Sequence, residues 1–322
     1  MKLERVLITG GLGLIGSHLG QSLMQHSSQI IVLDDESTGK TKNLESSLDS
    51  DRVRIVIGSI TDTKLVNQLM EGVDTCFHLA ASLGVNRILQ EPINSYQTNI
   101  HGTENVVNAA VKNETKLFMA STSEIYGKNP LQPLTETSDR VLGSPLNIRW
   151  AYSEAKAIDE SLLQMYRQER GLDFLIGRFF NTVGPRQTGS YGMVLPRFVR
   201  SALNGEDLQV YGDGKQTRVF CHVKDAADAL ISLSGREDSY GEVFNIGGEG
   251  EVSIAELAEK VIEISNSRSK VVFVPYSQAY SQGFEETFRR VPDTSKIRTL
   301  TGWRPKYSLE QIIKDVINYF KQ

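Results

Sequence analysis

Tyr152 and Lys156 stand four residues apart in the run Trp150-Ala151-Tyr152-Ser153-Glu154-Ala155-Lys156. On a helix that spacing places both side chains on one face, one turn apart. A phenol with its ordinary pKa of about 10 is a poor base. A lysine one turn away favours the phenolate and makes the two residues an acid/base unit. Much earlier the chain reads Gly10-Gly11-Leu12-Gly13-Leu14-Ile15-Gly16. Glycines at 10, 13 and 16, with Leu14 and Ile15 opening a helix, let a turn tighten and a pyrophosphate approach backbone N–H groups. Together the two motifs imply a bound dinucleotide and a proton moved by a phenol while a hydride moves to nicotinamide. The Ser121-Thr122-Ser123 cluster upstream of the tyrosine adds hydroxyls that can meet a substrate beside it.

Elements must hold these groups in place, and short apolar runs alternating with helical patterns supply them. Strands are read at Arg5–Thr9, Gln29–Asp34, Val53–Ile57, Thr75–Leu79, Lys116–Ala120 and Phe174–Arg178. Continuous apolar strands that alternate with helices define a doubly wound, parallel α/β sheet of the Rossmann type. A helix should follow the first strand, from about Gly13 to His26. After Phe180 the spacing loosens, with Gly184-Pro185-Arg186, Tyr191-Gly192 and Gly212-Asp213-Gly214 as loop punctuation. Residues 1–180 are therefore read as the dinucleotide-binding domain and 181–322 mainly as a smaller substrate-binding lobe, with strands at about 215–247 returning to the main sheet. Ser253 and Ser308 are expected to cap two late helices, and Glu256 completes a capping box with Ser253.

Asp34 closes the second strand. A carboxylate there accepts hydrogen bonds from ribose hydroxyls and repels a 2′-phosphate, so the cofactor is expected to be NAD and not NADP. Ser59, Ile60, Leu79, Ala80 and Ala81, at the ends of the third and fourth strands, are small or apolar enough to lie along the dinucleotide. Asn99 is a further candidate on the next helix. Thr122, Ser123 and Glu124 follow the fifth strand at the carboxyl edge of the sheet, where this architecture places chemistry. There Glu124 is a candidate second acid/base, directly or through a bound water.

Composition sets outer limits. With 322 residues and 39% hydrophobic content, the chain can build a large core without staples. Two cysteines are too few for a disulfide framework, so a reducing cytoplasm is expected, with no leader before the first strand. A net charge of −4 argues against nucleic acid, no apolar run is long enough for a membrane span, and no metal site is read.

On these motifs the chain resembles the extended short-chain dehydrogenases/reductases that modify nucleotide sugars. The likeness runs through the glycine turn, His78-Leu79-Ala80-Ala81, Thr122-Ser123-Glu124-Ile125-Tyr126-Gly127 and Tyr152 with Lys156. It continues through Phe180-Asn181-Thr182-Val183-Gly184-Pro185-Arg186 and Val210-Tyr211-Gly212-Asp213-Gly214. The resemblance implies that NAD oxidises the sugar at C4 and that the keto intermediate is then altered. It also implies a UDP-sugar substrate, with Asn181, Arg186 and Arg218 at the diphosphate, Tyr211 stacked on uracil and Val194 beside the base. A homodimer is implied through the helices carrying Asn99–Val111 and Tyr152–Lys156. Thr-Ser-Glu, Arg149-Trp150 and Arg289-Arg290-Val291-Pro292-Asp293 are similar to the UDP-glucuronate decarboxylase branch, in which Arg290 would hold the sugar carboxylate. Ser59 departs from the aspartate common among relatives. A UDP-sugar 4-epimerase, a 4,6-dehydratase and a non-catalytic NAD-binding regulator are the alternatives; such regulators usually lose the tyrosine or lysine.

Overall fold

The computed structural model describes residues 3–47, 51–82, 91–188, 193–279 and 285–322. Six strands fall on the apolar runs: β1 (Arg5–Thr9), β2 (Gln29–Asp34), β3 (Val53–Ile57), β4 (Thr75–His78), β5 (Lys116–Thr122) and β6 (Phe174–Phe179). A seventh, β7 (Glu242–Ile246), pairs in parallel beside β6, with Val243 opposite Ile176. Among the described residues the main sheet runs β7-β6-β5-β4-β1-β2-β3, all parallel. Its strand order reverses between β1 and β4, which opens a crevice at their carboxyl ends.

Both sheet faces are covered, which is why the central strands are apolar along their whole length. On one face α1 (Leu14–Leu23) packs against α6 (Val223–Ser234), in a core that also takes in Ile246, Ile297 and Trp303. On the other lie α2 (Thr63–Met70), α3 (Gly102–Lys112) and α4 (Ala151–Arg170). The chain enters α3 from the short helix Pro92–Tyr96 through a π-helical turn, Gln97–His101. A separate core joins α5 (Val194–Asn204), α7 (Ile254–Ser265) and α8 (Leu309–Phe320). The capping box forms at Ser253 and Glu256, and Ser308 caps α8 through the Gln311 N–H.

One small sheet brings two arginines of the later chain side by side. A three-stranded sheet sets Arg289–Arg290 in parallel beside Thr217–Val219, bringing Arg290 opposite Arg218. In α4, Leu163 is fully buried in the core, whereas Ile158 and Met165 on its outer side are exposed. No described helix is long and apolar enough to cross a membrane.

Candidate active site

The crevice is a cavity of about 1020 Å³ running from the glycine turn to the small sheet of the second lobe. Gly10 has φ +69°, and a Cβ there would stand 2.7 Å from the Ala80 backbone nitrogen. A Cβ on Gly16 would stand 2.4 Å from the Gly10 carbonyl oxygen. The turn therefore needs bare backbone at both positions. Gly13, as the N-cap of α1, has no side chain between the helix terminus and the cavity, and Leu14 and Ile15 line it. This cradle fits a pyrophosphate.

Asp34 ties the next segment to that turn. Its carboxylate accepts from Leu12 N–H at 3.0 Å and Glu36 N–H at 2.8 Å. Burial raises its carboxyl above the ordinary range, although both N–H bonds oppose this. Ser59, Ile60, Leu79, Ala80 and Ala81 line the same end of the cavity, and the Ser59 hydroxyl bonds that of Thr61 at 2.8 Å. Asn99 is placed differently. Its amide is spent on the Ser82 backbone, accepting from N–H at 2.7 Å and donating to C=O at 3.0 Å, and it does not reach the cavity wall.

At the centre, Thr122 caps a 3₁₀ turn, Ser123–Tyr126, by accepting from the Glu124 N–H. Ser153 of α4 donates to the Glu124 carbonyl at 2.9 Å, locking this turn to the helix that carries Tyr152. Glu160, two turns further along α4, accepts from Ser121 at 2.5 Å and Arg178 at 2.6 Å, so α4 is also fastened to β5 and β6. Thr122, Ser123, Glu124 and Tyr152 thus meet on one cavity wall.

Lys156 lies behind that wall, almost fully buried, with its ammonium 3.1 Å from Asp159. The phenol of Tyr152 is pushed above its ordinary value by enclosure and by the carboxylates of Glu124 and Asp159. Lys156, which was expected to lower it, is not among the groups acting on this phenol; its ammonium is paired with Asp159. Glu124 also differs from expectation. Burial alone would raise its carboxyl, but Arg149 at 2.6 Å and Arg290 at 3.1 Å outweigh it and hold the group at about 2. Glu124 is therefore a fixed anion between two guanidiniums and not a proton donor near neutral pH.

The second lobe supplies Asn181, Arg186, Val194, Tyr211, Arg218 and Arg290 to the cavity. Asn181 has φ +37°, a region that asparagine tolerates, donates to the Val219 carbonyl at 2.9 Å and accepts from Arg290 at 3.3 Å. Arg290 is buried; burial and the neighbouring Arg218 lower it to about 10. Arg218 pairs with Glu286 at 2.8 Å, and Arg186 donates to Gln21 at the same distance. Arg197 lies 4.3 Å from the ring centre of Tyr211. Tyr191 and Gly192 lie outside the described residues.

Sequence reasoning marked Arg149 only through the resemblance carried by Arg149-Trp150, and it did not place Asp159 and Glu286 in the site. Asp159 stands three residues after Lys156, so helical spacing was the available signal there. Nothing local marks Glu286 as the partner of Arg218.

The model of the family described as GDP-mannose 4,6 dehydratase matches residues 7–316. The fold and site define an extended short-chain dehydrogenase/reductase of the nucleotide-sugar group, and the chain belongs to that family. It is 42% identical to the UDP-N-acetyl-α-D-glucosaminuronate decarboxylase of Bacillus cytotoxicus, over 99% of this chain and 98% of that one. It is 33% identical to UDP-glucuronic acid decarboxylase 1 of Danio rerio, covering 99% of this chain and 73% of the relative. Among solved structures, the UDP-glucuronic acid 4-epimerase of Bacillus cereus, in complex with UDP-glucuronic acid and NAD, matches with a TM-score of 0.89 at 27% identity, over 99% of both chains.

Proposed function

We propose that the protein is an NAD-dependent decarboxylase of a UDP-linked hexuronate. The observation that carries this reading is the cluster of Arg149, Arg290 and the anionic Glu124 on the wall shared with Tyr152. Two buried guanidiniums already gathered around one carboxylate can receive a second from the sugar.

Gly10, Gly13 and Gly16 would hold the pyrophosphate of NAD and Asp34 the adenosine ribose, while Lys156 backs Tyr152 from behind the wall. Bound NAD supplies the hydride acceptor for the sugar C4–H. Tyr152, in its phenolate form, takes the C4 hydroxyl proton, with Thr122 bonded to the same oxygen. The product is a β-keto acid, whose ketone accepts the electron pair when the carboxyl carbon leaves as carbon dioxide. Arg290 orients that carboxylate, and Ser123 would deliver the proton that C5 then requires. Asn181, Arg186 and Arg218 serve the diphosphate, while Tyr211 and Val194 serve the uracil.

UDP-glucuronate is the simplest substrate of this chemistry. The N-acetylated form is the second reading, favoured by the 42% identity across nearly the full length of both chains. Residues 1–180, with the strand β7, form the cofactor lobe, and most of 181–322 forms the sugar lobe. The protein works in the cytoplasm as a homodimer, with exposed Ile158 and Met165 of α4 at the contact.

The test is incubation with NAD and each UDP-uronate, following product mass and NADH absorbance together. Loss of one carbon dioxide from either substrate supports the reading. Unchanged mass with a new sugar configuration replaces it with an epimerase, and loss of water with a dehydratase.

A further inference from the structure

The mechanism above leaves one buried acid unused. Asp159 lies one turn beyond Lys156 on α4, and its Oδ2 is 3.1 Å from the lysine ammonium. Both side chains are almost wholly removed from solvent, at 1% and 2% exposure. Adjacent Glu160 has a full set of partners in Ser121 and Arg178. Asp159 does not: its Oδ1 is buried and has no hydrogen-bond partner.

The remaining contacts of Asp159 belong to a hydrogen-bonded chain with one consistent direction. Ala80 N–H donates to the Thr9 hydroxyl at 3.4 Å, and Thr9 donates to His78 Nδ1 at 2.8 Å. His78 then carries its proton on Nε2 and donates to the Thr103 hydroxyl at 3.1 Å. Thr103 has a single proton. It goes to the Asn99 carbonyl at 2.6 Å, leaving only a weak share for Asp159 Oδ2 at 3.3 Å. The imidazole, lowered to about 3 by burial and by Lys156, adds no positive charge. Lys156 is thus the one strong partner of this carboxylate among the described residues.

A buried ion pair with an orphaned oxygen is a poor stabilising device, because desolvation of both charges offsets their attraction. Its value lies in where it puts charge. We infer that Asp159 is a positioning residue: it anchors the Lys156 ammonium and, by balancing its charge, sets the pH at which Tyr152 releases its proton.

Other charges near the pair are accounted for. On α4 itself, Glu160 is matched by Arg178. From β4 comes neutral His78, from α3 the hydroxyl of Thr103, and from the turn after β5 comes Glu124, held between Arg149 and Arg290. Of the two carboxylates that oppose a phenolate at Tyr152, only Asp159 is paired with Lys156; Glu124 is held by Arg149 and Arg290.

The test is D159N, which keeps the shape and removes the charge. Phenolate absorbance is titrated in NAD-loaded protein without sugar, and the Tyr152 signal is isolated by subtracting the matching Y152F protein. No turnover is needed, so the result stands whether or not the sugar assignment holds. The Tyr152 midpoint should fall by about one pH unit or more, about tenfold in phenolate fraction below the midpoint. D159E, which restores the carboxylate, should return it to within a few tenths of a unit of the parent. A D159N midpoint equal to the parent's in folded protein overturns the inference, as does a shift that D159E fails to reverse. If D159N does not fold, D159S removes the same charge and is read by the same criterion.

Discussion

Replacing Glu124 with glutamine tests the central electrostatic arrangement. The substitution keeps the side-chain shape and removes the one anion between Arg149 and Arg290. The carboxyl is held at about 2 against 4.5 for a free glutamate, a difference worth about 3 kcal/mol of folding free energy. Loss of one partner from a buried ion pair falls in the same range, about 3–5 kcal/mol. A chain of this length unfolds with an entropy of about 0.7 kcal/mol per degree, so E124Q should melt about 5 °C below the parent at pH 7. The sign with pH follows from a lowered native pKa. The contribution is fully present above about pH 4.5 and fades as pH falls toward 2, so the gap between parent and variant must narrow in acid. Calorimetry of both proteins at pH 7 and pH 3.5 measures it. An equal gap at both values, or no gap at pH 7, would refute the assignment of Glu124 as a clamped anion. Under the proposed function a UDP-uronate should also raise the melting temperature of E124Q more than that of the parent, because its carboxylate restores the missing charge.

Three further outcomes are expected. Gly10→Ala forces a Cβ to within 2.7 Å of the Ala80 nitrogen at a positive φ, costing at least about 2 kcal/mol; the melting temperature should drop by about 3 °C or more and NAD affinity should fall with it. Tyr152→Phe removes the proton acceptor and leaves the glycine turn intact; C4 oxidation should slow about 10²–10⁴-fold while NAD binding by calorimetry stays within about twofold. Asp34→Ala frees the Leu12 and Glu36 N–H groups and removes the ribose acceptor, so the NAD dissociation constant should rise about tenfold or more in a fluorescence titration.

The sheet was legible because each buried strand is a continuous apolar run with a turn signal at either end, as Ile30–Leu33 shows. Strand β7 was harder. Glu242-Val243-Phe244-Asn245-Ile246 mixes polar and apolar positions because Asn245 is buried against Tyr126 and the Leu134 carbonyl. In the site, the glycine turn and the Tyr152–Lys156 spacing are local and could be read directly. The clamp on Glu124 joins residues 166 positions apart, which only the fold brings together. Asp159 was in plain view at helical spacing, but the same spacing fits any surface ion pair. Its burial under α3 is what gives it meaning, and no local pattern carries that.

The return of β7 to the sheet bears on how the molecule comes apart. The core between α1 and α6 draws on residues as distant as Leu3 and Trp303, and the Trp303 indole donates to the Asp225 carbonyl inside it. Cutting the chain near residue 180 would therefore strip one flank from β6 and one wall from α1 together. The early and late parts of the main sheet therefore share a single thermodynamic fate: heat should take the glycine cradle, β7 and the α1–α6 core in one transition, and a ligand gripping the cradle should raise the melting point of them all.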